Sequence, residues 1–153
     1  MICRKLERGL SKGTSVLDFA DALGLRRGVS GYSYHSVPIA LFAWLRFPGD
    51  FREALTSALN CGGDTDTMGA IVGALAGASV RISGIPSEWL NRICEWPRSL
   101  KVMDRAAERL ARQNKVGKPL DPIEYFWPAL APRNLAFLIV VLAHGFRRLA
   151  PPY

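Results

Sequence analysis

The chain has 153 residues, a formal net charge of +7, and 49% hydrophobic and 22% charged residues. This composition is typical of one globular domain with a real core and excludes a disordered chain. The three cysteines are widely spaced and form no CxxC pair, which excludes a disulfide framework and a zinc site. No apolar segment follows the basic start, and the longest apolar runs, such as residues 135–143, are far shorter than the ~20 residues of a membrane span. We therefore expect a cytoplasmic protein with no membrane partner.

Helical periodicity with start and stop signals recurs along the chain, whereas strict alternation of apolar and polar residues is almost absent. Ser15 and Asp18 form a capping-box pattern for a helix that ends at Gly24. Pro38 suits the first turn of the next helix, and Asp50 is a candidate cap for the one after it. These signals predict an all-α fold.

The remainder of the chain is predicted to add four helices and one long loop. The helices are expected over residues 65–80, from Ile85 to a break at Trp96 and Pro97, up to Gln113, and from a cap at Asn134 onward, with the loop over 115–132. This gives about seven helices with no internal repeat and no visible boundary. We therefore predict a single all-α domain over residues 1–153.

On one predicted helix, five basic residues recur at helical spacing and would line one face. They are Arg98, Lys101, Arg105, Arg109 and Arg112. A solvated helix face is the simpler interpretation, and a functional patch is the alternative. The pattern lacks interleaved aromatic residues and matches no helix-turn-helix, RRM or zinc-finger motif. We expect weak steering of an anionic ligand and no nucleic-acid partner.

Three glycines, Gly69, Gly73 and Gly77, recur every four residues in the helix predicted over residues 65–80. Glycine within a helix costs about 1 kcal/mol relative to alanine, so a stripe of glycines needs a compensating contact. The stripe predicts a tightly buried central helix with another backbone packed close along it.

The stretch NCGGDTDTMG, residues 60–69, places two carboxylates at the start of that helix. In one interpretation Asp64 and Asp66 only cap the helix and favour its positive dipole end. In the other, they join Thr67 as oxygen ligands of a hard cation, Mg²⁺ or Mn²⁺, which would relieve their mutual repulsion. Gly62 and Gly63 would then leave room for a ligand or a second metal ion. The residues alone leave both interpretations open.

Three blocks of the sequence resemble the ADP-ribosylglycohydrolase family. CGGDTDTMGAIVGALAGA (residues 61–78) resembles the family signature at the head of a helix rich in glycine and alanine. GVSGYSYHSVPIALFAWLR (28–46) resembles its substrate loop and the following helix, and GIPSEWL (84–90) resembles a downstream block. The blocks come in the family's order over residues 28–90, whereas the tail over 120–153 is less diagnostic.

The resemblance implies a compact all-α bundle around a binuclear Mg²⁺ centre, or its Mn²⁺ form, which cleaves the glycosidic bond to ADP-ribose. It implies Asp64, Asp66 and Thr67 as metal ligands. It also implies that the loop with Gly31, Tyr32 and His35 lies along the ADP-ribose of a modified protein or small conjugate. From the residues alone, ordinary packing for Tyr32 and a satisfied polar contact for His35 remain alternatives.

One expected block of the family is missing from this chain. Family members carry a Thr-Asp-Asp run near the N-terminus that supplies the other ligands and the catalytic acidic residues, and no Asp-Asp pair occurs here. We therefore expect the C-terminal half of the family domain plus a tail, with catalytic residues that cannot be assigned within the chain. Either a missing half or complementing chain restores activity, or the chain is a non-catalytic, oligomer-prone remnant that binds ADP-ribose or a protein.

Overall fold

The computed structural model describes residues 2–93 and 95–149, so Met1, Cys94 and the last four residues lie outside the described part. The described residues contain eight α-helices and no strand, which confirms the all-α prediction. The helices are α1 (Ile2–Ser11), α2 (Val16–Ala22), α3 (Ser33–Arg46), α4 (Phe51–Leu59), α5 (Thr65–Val80), α6 (Ser87–Leu90), α7 (Leu100–Val116) and α8 (Leu130–Leu149). Two short 3-10 helices cover Ile82–Gly84 and Trp127–Ala129.

The chain divides into two compact units, Met1–Trp89 and Leu90–Tyr153. In the first unit, α3 packs against α1, α2, α4 and α5. Phe42 of α3 is fully buried and stacks on Phe19 of α2, with ring centroids 4.0 Å apart. Val29 and Cys61, from the loops that precede α3 and α5, are buried in the same core. The prediction of a single domain over residues 1–153 stays a prediction.

The predicted helix caps of the first unit are confirmed. The Ser15 hydroxyl accepts a hydrogen bond from the backbone N–H of Asp18 at 3.0 Å and donates one to its carboxylate at 2.6 Å. The Asp50 carboxylate accepts from the backbone N–H of Glu53 at 2.9 Å. Each side chain satisfies an N–H that lacks a partner within its helix, which fixes where the helix begins.

The predicted helix start at Pro38 is wrong. Helix α3 begins five residues earlier, at Ser33, and Pro38 lies inside it and is buried. The carbonyl of Tyr32 accepts from the backbone N–H groups of His35 and Ser36, at 2.8 and 3.0 Å, and so supports a first turn ahead of the proline. Because proline removes a single backbone donor, a helix supported on both sides can include it.

The glycine stripe of α5 does not carry the predicted close backbone contact. A Cβ at Gly69 or Gly77 would lie 3.6 Å from a side chain, Leu59 or Phe51 respectively, and nothing lies within 4 Å of one at Gly73. The buried face of α5 consists instead of Met68, Val72 and Ala76. The opposite face, which includes several alanines, is exposed, so α5 is buried along one side only.

From α6 onward, the helix boundaries differ from the predicted ones. Helix α6 ends at Leu90 and does not continue to Trp96, and α7 extends to Val116. Asn134 does not cap the last helix, because a 3-10 turn over Trp127–Ala129 leads directly into α8 at Leu130. Neither α7 nor α8 has a buried residue.

By length and composition, the segment Trp127–Leu149 is long and apolar enough to cross a membrane, and it is almost wholly exposed. The expectation that no segment reaches this length was therefore wrong. It counted only uninterrupted apolar residues, whereas a span also accommodates isolated polar residues such as Arg133.

Candidate functional site

The site begins where two loops of the first unit pair through their backbones. The backbone N–H of Val29 donates to the carbonyl of Gly62 at 3.0 Å, and the N–H of Asp64 donates to the carbonyl of Val29 at 2.7 Å. Together these bonds form an isolated parallel bridge between Val29 and Gly63. The loop before α3 is thereby fixed against the loop before α5.

Two glycines permit this approach. Gly28 and Gly63 have φ values of +105° and +85°, a region that favours glycine. A Cβ on Gly28 would lie 2.7 Å from the backbone nitrogen of Gly63, and one on Gly63 would overlap the backbone of Val29. The space beside Gly63, which was expected to admit a ligand, is therefore occupied by the backbone of Val29. Gly62 is different, since nothing lies within 4 Å of a Cβ built there.

Asp64 is the N-cap of α5, as the capping interpretation predicted. Its Oδ1 accepts from the backbone N–H of Thr67 at 3.1 Å, and its Oδ2 accepts from the Thr67 hydroxyl at 2.8 Å. Gly31 lies against this pair: an added Cβ would overlap Asp64 Oδ2 and sit 3.7 Å from Thr67 Oγ1. The structure thus brings together three residues that the sequence assigned separately to substrate and metal.

Asp66 lies in the first turn of α5 and is exposed, whereas Asp64 and Thr67 are half-buried. Among the described residues, no group of three or more His, Cys, Asp and Glu side chains converges as a metal site does. The DTDT segment therefore offers two carboxylates and a hydroxyl. Since Thr67 donates its hydroxyl proton to Asp64, its oxygen keeps lone pairs that can bind a cation. These oxygen donors fit Mg²⁺ or Mn²⁺, although they are fewer than the six that Mg²⁺ requires.

The residues on either side of Gly31 form a polar and aromatic cluster at the start of α3. Ser30 Oγ lies 2.8 Å from Nδ1 of His35, so the histidine has the polar partner that the alternative interpretation anticipated. The ring of His35 meets Tyr32 edge-on, with centroids 5.3 Å apart, and Tyr32 stacks on Tyr34 at 5.4 Å. The two tyrosines are 59% and 77% exposed, so they are not packed in the core. Ligand binding by Tyr32 and His35 stays a prediction.

Two residues important to this arrangement were missed in the sequence. Val29 holds the two loops together and is fully buried, and Ser30 links to His35. The available signal was a valine and a serine between Gly28 and Gly31, which is typical of a short extended segment.

One buried titratable group lies close in sequence to the site. Burial raises the pKa of the Cys61 thiol above its ordinary value, and the charge of Asp21 adds to the effect. The thiol also lies 3.6 Å from the backbone oxygen of Ser57, to which it donates. Cys61 is therefore a neutral packing residue at neutral pH and is not poised as a thiolate ligand.

In the first unit, a helical core thus holds the start of α5 at Asp64 against the glycine-rich loop that precedes α3. The family model described as ADP-ribosylglycohydrolase matches residues 3–119. The match covers well over half of the chain, and the chain belongs to this family. Helix α8 lies beyond the matched residues.

Individual relatives are similar over shorter segments. The chain is 46% identical over 43 residues to the ADP-ribosyl-[dinitrogen reductase] glycohydrolase of Rhodospirillum rubrum, covering 28% of this chain and 15% of the relative. It is 33% identical over 85 residues to the ADP-ribosylarginine hydrolase Tri1 of Pseudomonas putida (strain GB-1), covering 52% and 22%. It is 28% identical over 92 residues to the ADP-ribosylhydrolase ARH3 of Bos taurus, covering 54% and 25%. The chain thus matches only a quarter or less of the length of these relatives, and no solved structure matches it.

Proposed function

We propose that the chain contributes one half of the active site of a Mg²⁺-dependent hydrolase that cleaves the glycosidic bond to ADP-ribose. The observation that carries the proposal is the contact of Gly31 with the Asp64–Thr67 pair, which joins a substrate-type loop to a metal-type helix start. The relatives named above act on ADP-ribosyl groups, and one is named for ADP-ribosylarginine. An ADP-ribosylated protein or small ADP-ribose conjugate is therefore the substrate class.

The residues have separate roles in this proposal. Asp64, Asp66 and Thr67 present oxygen ligands to the cation, and Asp64 also fixes the hydroxyl of Thr67. When bound, Mg²⁺ supplies polarisation of ribose oxygens and acidification of a water molecule, and Mn²⁺ is the alternative ion. Gly31 leaves the space beside Asp64 free of a side chain.

The substrate loop supplies orientation. The exposed rings of Tyr32 and Tyr34 offer flat apolar surfaces for a nucleotide, because aromatic faces stack on bases. His35 is held by Ser30, which fixes the orientation of its ring. The acidic residue that activates water does not come from the described chain in this proposal. A further segment of a longer protein or a complementing chain provides it, in a cytoplasmic setting.

The test measures binding of Mn²⁺ to the full chain by electron paramagnetic resonance, with Asp64→Asn and Asp50→Asn as a matched pair. Both aspartates cap helices of the first unit, and asparagine caps about as well as aspartate, so both variants should fold alike. We expect a weak site whose affinity falls about tenfold or more in Asp64→Asn, since a charged ligand is removed, and stays unchanged in Asp50→Asn.

If the two variants bind Mn²⁺ equally, the metal role of Asp64 is refuted. The second candidate, a non-catalytic module that binds ADP-ribose, would then be favoured. The exposed, stacked rings of Tyr32 and Tyr34 support that candidate, because aromatic faces bind bases without a metal ion. Calorimetry with ADP-ribose, with and without the metal ion, distinguishes the two candidates. Only the non-catalytic module should bind ADP-ribose with the same affinity under both conditions.

A further inference from the structure

Helix α8 and the 3-10 turn before it form an apolar surface that nothing in the first unit's site explains. The segment Trp127–Leu149 contains no Asp or Glu, and its central residues 135–143 read LAFLIVVLA. Because successive helical residues turn by 100°, nine consecutive apolar residues cover every direction around the axis. A helix that is apolar all round belongs in a protein core or in a membrane.

A core position does not fit the described structure. Leu135, Ile139 and Val140 are 59%, 59% and 55% exposed, and no residue of α8 is buried. A cleaved leader sequence does not fit either, because the segment is far from the start of the chain. The segment also lies outside residues 3–119, which the family model matches.

The dimensions and ends of the segment match a bilayer. Its 23 residues, at 1.5 Å per residue, are about 34 Å long if fully helical, against about 30 Å of hydrocarbon. Phe126 and Trp127, 69% and 70% exposed, stand at one end, where aromatic residues favour the interface between membrane and water. Arg147 and Arg148 close the other end and complement lipid phosphates.

Apart from the arginine pair near its end, the segment carries one arginine, Arg133, and its position makes insertion tolerable. Arg133 lies six residues after Trp127, about 9 Å along the axis, and is within snorkelling reach of the interface. It donates to both carboxylate oxygens of Glu95 at 2.8 Å, which neutralises its charge. His144 lies near the opposite end, three residues before Arg147.

We propose that Trp127–Leu149 inserts into a lipid bilayer and anchors the chain there. The aromatic pair lies at one interface and the arginine pair at the other. This replaces the expectation of no membrane partner that the sequence raised. It does not depend on the metal site, and either proposal can fail alone.

The test synthesises the full chain in a cell-free system with neutral phosphatidylcholine vesicles and measures flotation before and after an alkaline carbonate wash. The matched variants are Ile139→Asp in α8 and Leu110→Asp in α7. These residues are 59% and 60% exposed and lie in the same unit, so neither change should unfold it. We expect the wild type to float and to resist carbonate. Ile139→Asp should reduce vesicle partition about a hundredfold, and Leu110→Asp should leave it within about twofold.

Three results would overturn the proposal. The first is flotation only on anionic vesicles with release by salt, which indicates adsorption through the basic residues of α7. The second is an equal loss in both variants, which makes the effect unspecific. The third is a vesicle-independent soluble oligomer that Ile139→Asp dissociates, which assigns α8 to an interface between copies of the chain.

Discussion

Replacing Gly31 with alanine tests the contact on which the proposed site depends. The added methyl group would overlap Oδ2 of Asp64, and the backbone of Gly31 is not in the left-handed region, so the strain comes from this overlap alone. Asp64 relieves the overlap by rotating away and gives up its two bonds to Thr67. The lost cap costs about 1 kcal/mol and the lost hydroxyl bond about another 1 kcal/mol. Alanine also lowers the conformational entropy of the unfolded chain, which offsets about 0.4–1 kcal/mol of this loss of stability.

The net loss of about 1 kcal/mol should lower the melting temperature by roughly 4–8 °C for a unit the size of Met1–Trp89, measured by circular dichroism. Gly73→Ala is the control, because nothing lies within 4 Å of its added Cβ and alanine favours a helix interior by about 1 kcal/mol. In an Asp64→Ala background, Gly31→Ala should no longer destabilise. If Gly31→Ala stabilises the chain as Gly73→Ala does, the contact is not as described.

Two further predictions concern the core of the first unit. At pH 8, Cys61 should react with iodoacetamide at least about tenfold more slowly than exposed Cys3, because its raised pKa and its burial reduce the accessible thiolate. Peptide mass mapping reports the reaction of each cysteine, and equal rates would show that Cys61 is not buried. Phe42→Ala should lower the free energy of unfolding by about 3–5 kcal/mol in guanidinium titrations, because the ring is fully buried and stacked on Phe19. Phe126→Ala, at a 69% exposed position, should change it by less than about 0.5 kcal/mol, and similar losses in the two variants would contradict the core assignment.

The sequence predicted well those features that a few neighbouring residues determine. The caps Ser15, Asp50 and Asp64 each bond to a backbone N–H three residues later, so the signal and its partner lie in one short segment. The start of α5 and its end at Val80 followed from the same local pattern. The all-α class followed from periodicity, which is local as well.

Features that depend on distant partners were not predictable from local signals. Gly63 was expected to leave room for a ligand. The backbone of Val29, more than thirty residues earlier in the chain, lies against it instead. Pro38 was assigned to a helix start because proline suits the first turn. The carbonyl of Tyr32, which supports the turn before the proline, has no sequence signature. The glycine stripe of α5 was assigned to close packing, and the side chains that lie near it come from α4 and from Ile85.

In the proposed function, Asp64 and Asp66 bind the metal ion of a hydrolytic centre and do not merely cap a helix. The most direct measurement is Mg²⁺-dependent release of ADP-ribose from ADP-ribosylarginine by the chain joined to a segment that carries a Thr-Asp-Asp run, comparing Asp64→Asn, Asp66→Asn and Asp50→Asn. We expect a loss of about a hundredfold or more in the first two variants, because each loses a charged ligand, and full activity in Asp50→Asn. Release that is unchanged in Asp64→Asn and Asp66→Asn would contradict it.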